Sequence, residues 1–99
     1  MKLGIADKTP GIMASDRAAF ALEAAALAEA GIVRFSEDKN MYRAYLEAGL
    51  AYFRYSGRTD VFDSAMKKAV EAQARILDPD FQRIISFNER AATKLMAGG

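Results

Sequence analysis

The sequence predicts an all-α fold of about four helices, arranged as a compact antiparallel bundle or as stacked helical hairpins. Three observations predict it. The chain is rich in alanine and interrupted by few turn signals, chiefly Pro10-Gly11, Gly31, Ser56-Gly57 and Asp78-Pro79. Between those signals apolar residues recur at helical spacings of about three and four. The only β-flavoured stretch, Ile32-Val33-Arg34-Phe35, is short and has no partner strand.

Residues 1–14 carry Gly4, Pro10 and Gly11 without a clean period. They predict an extended N-terminal arm, with Ile12 and Met13 placed to staple onto the first helix or to cross to a second subunit. Residues 15–97 then form a single helical domain. Ser15-Asp16 is an N-cap signal, and the alanine-rich run to Ala30 propagates a helix. Phe20, Ala24 and Leu27 share one face of it, where small residues let a neighbouring helix approach closely. Gly31 is its candidate left-handed C-cap. Ile32, Val33 and Phe35 follow as a connector that plugs the core.

Ser36 opens the second helix, with Glu37 and Asp38 in its first turn, and Ser56-Gly57 closes it. Met41, Tyr45, Gly49 and Tyr52 make one apolar stripe; Tyr42, Leu46, Leu50 and Phe53 make another. Only Lys39, Arg43, Glu47 and Arg54 mark a wet side. A helix apolar round most of its circumference sits centrally or is shared with a partner. Thr59-Asp60 opens the third helix, whose buried stripe is Phe62, Ala65, Met66, Ala69, Ala72 and Ile76. Lys67, Lys68, Glu71 and Arg75 face water there, with Lys67–Glu71 and Glu71–Arg75 at pairing distance along the helix. Asp78 caps the fourth helix and Pro79 fits its first turn. Phe81, Ile84, Ile85, Asn88, Ala91, Ala92 and Leu95 form its inner stripe. A buried asparagine at Asn88 would fix helix register or oligomeric state; at the stripe's edge it would meet water.

Within the second and third helices, Tyr45, Ala48, Gly49 and Tyr52 resemble the first helix of a tetratricopeptide repeat. Ser56-Gly57 resembles its turn, Ala65 and Ala72 fall at the spacing of its second-helix alanines, and Pro79 lies near its closing proline. The resemblance covers about a third of the chain. It departs from the family at the extra residues 58–61, at Ala69 in place of a bulky aromatic, and in the late position of Pro79. It implies a single degenerate helical hairpin with a protein- or peptide-binding surface.

Composition narrows the function. The 99 residues include no histidine and no cysteine, which removes the commonest general base, the usual transition-metal ligands and the thiol nucleophile. No glycine pattern forms a phosphate loop. Glu23, Glu29, Glu37, Glu47, Glu71 and Glu89 lie on polar faces, so neither a metal nor a cofactor is expected, and no catalytic activity. The net charge of +1 disfavours a nucleic-acid partner. Two aspartates at the start of the fourth helix oppose phosphate contact by a helix-turn-helix reading of the last two helices. No apolar run is long enough for a signal peptide or a membrane span, so a cytoplasmic protein without a membrane partner is expected.

What remains is an aromatic and basic cluster on the second helix and its turn. Tyrosine and arginine anchor protein interfaces, which makes Tyr42, Tyr45, Tyr52, Arg54, Tyr55 and Arg58 the candidate interface. The same rings could instead fill the core and leave only their hydroxyls at its edge. The expected function is a small intracellular helical interaction module: an adaptor, an assembly factor or an inhibitor of the kind phages and mobile elements carry. Its partner is another protein or a second copy. A homo-oligomeric structural protein and a helical nucleic-acid binder are the alternatives.

Overall fold

A computed structural model of the chain describes the backbone of residues 9–98 and the side chains from Ser15 onward. Four helices occur in the order α1 (Thr9–Arg34), α2 (Lys39–Ser56), α3 (Asp60–Ala72) and α4 (Pro79–Gly98). The expected all-α architecture is present, with four helices and no strand among the described residues.

Both ends of α1 differ from expectation. The helix starts at Thr9, not Ser15, so residues 9–14 of the predicted arm are helical. Pro10 sits in the first turn, where its missing N–H costs nothing. The rest of the arm, residues 1–8, lies outside the described residues, as do the side chains of Ile12 and Met13. At the other end α1 runs through Gly31 to Arg34. Gly31 is no cap: it lies inside the helix, where a side chain would meet the Met41 sulfur, the flexible end of a side chain of α2, at 2.5 Å. Ile32 is buried as expected, but Val33 and Phe35 are exposed and plug nothing.

Asp38, not Ser36, caps α2. Its side chain accepts from the Asn40 N–H at 2.9 Å. Ser36 stays in the preceding turn, where its carbonyl accepts from the Tyr42 hydroxyl at 2.6 Å. Gly57 closes α2 at φ 78°, the left-handed conformation expected there. At α4 the Asp78 carboxylate accepts from the Asp80 N–H at 2.9 Å, as a cap should.

Every helix packs against α2. Arg17 lies over the Tyr55 ring at one end of the α1/α2 pair, and Gly31 meets Met41 at the other, so the two run antiparallel. Gly49 backs onto Phe62 and Tyr45 lies beside Ser64, which sets α3 antiparallel to α2 as well. Tyr42 stacks tilted on Phe81 at 5.5 Å, while Phe53 shares a groove with Leu95 and Met96, so α4 runs parallel to α2. Tyr42, Leu46 and Phe81 form the fully enclosed centre of the core. Removing a side chain such as Leu46 or Phe81 from water contributes about 1.5–3 kcal/mol each. By contrast, among the described residues α1 packs almost wholly on α2, and α3 and α4 leave the rest of its circumference uncovered.

Candidate protein-interaction surface

The six candidate interface residues divide into two groups. Tyr42, Tyr45 and Tyr52 are buried among the chain's own helices and are core, not free surface. The physical reason is the central place of α2: both of its aromatic stripes are covered from within. The Tyr42 hydroxyl donates to the Ser36 carbonyl and accepts from the Arg75 guanidinium at 3.0 Å. Arg75 is therefore not paired with Glu71 on a wet face of α3. That helix stops at Ala72, and the arginine reaches back to tie the end of the hairpin to α2. Burial pushes the Tyr45 phenol above its ordinary pKa, and the nearby Glu29 carboxylate adds to the rise.

Arg54, Tyr55 and Arg58 form the second group. Arg54 and Arg58 are exposed and Tyr55 is half-buried. Arg58 pairs with Asp60 at 3.0 Å and lies 6.0 Å over the Tyr52 ring, which braces the α2–α3 turn. Arg54 lines the groove that Phe53 shares with Leu95 and Met96, and Tyr55 lines a second apolar groove, between α1 and α2.

The first helix buries the face opposite to expectation. Ala21, Ala25, Ala28 and Ile32 pack on α2, while Phe20 and Leu27 are 69% and 74% exposed. Ala24 between them is exposed too. The signal for this was present: residues 21, 25, 28 and 32 also keep helical spacing. An alanine face lets α1 lie closer to α2 than a Phe/Leu face would, and α2 supplies the bulk. The outcome is a broad groove of about 570 Å³ along α1 and α2. The broad groove has a floor of Ala24, Ala44, Ala48 and Ala51, with Phe20 and Tyr55 as its walls. Arg17 and Glu47 supply its only charges.

A different feature lies between α2 and α4. Asn88 is buried, so the alternative of an asparagine wetted at the stripe's edge does not hold. Its amide nitrogen donates to the Ile84 carbonyl of its own helix at 2.9 Å, and its oxygen has no partner. That oxygen is sealed from solvent, so the neighbouring cleft beside Phe87 does not present it to a ligand. Lys39 clamps Asp78 at 2.6 Å and Asp80 at 3.5 Å, which joins the starts of α2 and α4. The lysine's hydrogen bond lowers the Asp78 pKa, helped by the Asp80 backbone N–H, and the same bond raises that of Lys39. These are structural contacts of two helix ends.

No helix among the described residues is long and apolar enough to cross a membrane. Comparison of the chain with known protein families, curated proteins and solved structures finds no match.

Proposed function

We propose that this chain is a helical protein–protein interaction module, an adaptor, assembly factor or inhibitor-type protein without catalytic activity, and that it binds through the α1/α2 groove. One observation carries the reading: α1 buries its alanines and exposes Phe20 and Leu27. A helix apolar on several sides but covered on one has a face that a partner can desolvate. The small-residue floor suits a helix lying in the groove, with large partner side chains seated over Ala44 and Ala51. Tyr55 keeps its place as an interface residue; Arg54 and Arg58 flank it. A binding role also fits the tetratricopeptide-like resemblance of the α2–α3 hairpin.

A photo-crosslinking amino acid placed at Leu27 tests the reading, with Val70, an exposed apolar position on α3, as control. In the cell where the chain is native, Leu27 gives a discrete protein adduct and Val70 gives none. Equal adducts from both positions, or none from Leu27, would sink the proposal.

A further inference from the structure

We infer that the occupant of the α1/α2 groove is a second copy of this chain, whose Phe20 and Leu27 sit over the alanine floor of the first. This rests on the groove being a docking face, and goes beyond it by naming the partner. The face carries both halves of a self-complementary contact. Its large residues, Phe20 and Leu27, lie on α1, and its small ones, Ala44, Ala48 and Ala51, lie on α2. A two-fold axis running along the helices brings α1 of one copy over α2 of the other. Each large residue then meets an alanine, twice over, as an isologous interface requires.

Charge allows the same pairing. Both charges of the groove are engaged within the chain, Arg17 over the Tyr55 ring and Glu47 with Arg43 at 3.0 Å, so a second copy covers the face without leaving either charge unpartnered. A net charge of +1 leaves little repulsion between copies. Size is sufficient as well. From Ser15 to Arg34 the helix is about 30 Å long, and a face two helices wide is about 20 Å across. That flat area of roughly 600 Å², enlarged by side-chain relief, approaches the ~800 Å² per partner of a stable complex. Two α1/α2 pairs joined in this way form an intermolecular four-helix bundle, in which α1 gains a covering that α2, α3 and α4 of its own chain do not provide.

Mass measured by light scattering across a wide concentration range tests this on the whole chain. The wild type is a dimer that dissociates on dilution. Leu27→Glu and Ala44→Glu each give a monomer with unchanged helicity, because both positions are exposed in the isolated chain. The chain has no cysteine, so introduced thiols report the geometry directly. An equimolar mixture of Leu27→Cys and Ala44→Cys chains, mildly oxidised, gives crossed disulfide dimers above the statistical share. A wild type that stays monomeric, a dimer indifferent to both glutamates, or crossed dimers at the statistical share overturns the inference. If the wild type is monomeric while the Leu27 photo-crosslinker captures a protein of another mass, the second copy is refuted and the docking face stands. If the crosslinker captures nothing as well, both fall.

Discussion

Substituting alanine at Gly49 and at Gly31 separates two meanings of a helical glycine. Each change removes backbone entropy from the unfolded chain and improves helix propensity by about 1 kcal/mol. The surroundings then decide the sign. At Gly49 the new methyl would lie 2.7 Å from the Phe62 Cα and 2.9 Å from its backbone nitrogen. Ordinary contact begins near 3.4 Å, so α3 must move by more than half an ångström along its packed face. Backbone yields only by shifting Phe62 and Ala65 out of the core, an overpacking cost of about 2–3 kcal/mol. The net expectation is a loss of about 1–2 kcal/mol, or roughly 5–15 °C in Tm for a chain of this size. At Gly31 the methyl would meet the Met41 sulfur at 2.5 Å, the flexible end of a half-buried side chain. Methionine can turn away at small cost, so Gly31→Ala is neutral or stabilising by up to about 1 kcal/mol. Thermal and urea unfolding followed by far-UV circular dichroism reads both. A Gly49→Ala chain as stable as wild type would show that the α2–α3 approach is looser than described and refute this account.

Two further outcomes follow from the polar contacts. Asn88→Leu should leave stability unchanged or raise it by about 1 kcal/mol, because it replaces a sealed oxygen that has no partner; a loss of several kcal/mol in urea unfolding would mean the amide is satisfied. For Asp78 the carboxyl pKa is lowered in the fold, so its contribution is complete above the ordinary carboxylate value and is lost as pH falls through the lower folded value. Lys39, whose pKa is raised, contributes fully below the ordinary lysine value and loses its share only above the folded one, so the pair is intact throughout neutral pH. Asp78→Asn should therefore lower Tm near neutrality and flatten its decline in acid. A Tm–pH curve parallel to that of wild type would refute the coupling.

The sequence by itself determined the local structure wherever one residue type has a single chemical use. Gly57 supplies a positive φ, Asp78 with Pro79 starts a helix, and the apolar spacing of α2, α3 and α4 marks stripes that are buried as expected. Composition limited the chemistry in the same way, since no fold can supply a histidine or cysteine that the chain lacks. Local reading failed where a residue has two uses. Gly31 reads as a cap and lies inside a helix beside Met41; Pro10-Gly11 reads as a breaker and lies within the start of a helix.

Only the tertiary structure decided which faces are covered. In α1 two stripes have helical spacing, Phe20-Ala24-Leu27 and Ala21-Ala25-Ala28-Ile32, and periodicity ranks neither above the other. The choice fell to α2. Its tyrosines and Leu46 supply enough bulk to fill the core, so the neighbouring helix fits best with its small side. The same packing took Tyr42, Tyr45 and Tyr52 out of the candidate interface and brought Phe20 and Leu27 to the surface. Burial is a property of pairs of surfaces, and a sequence displays each surface without its mate.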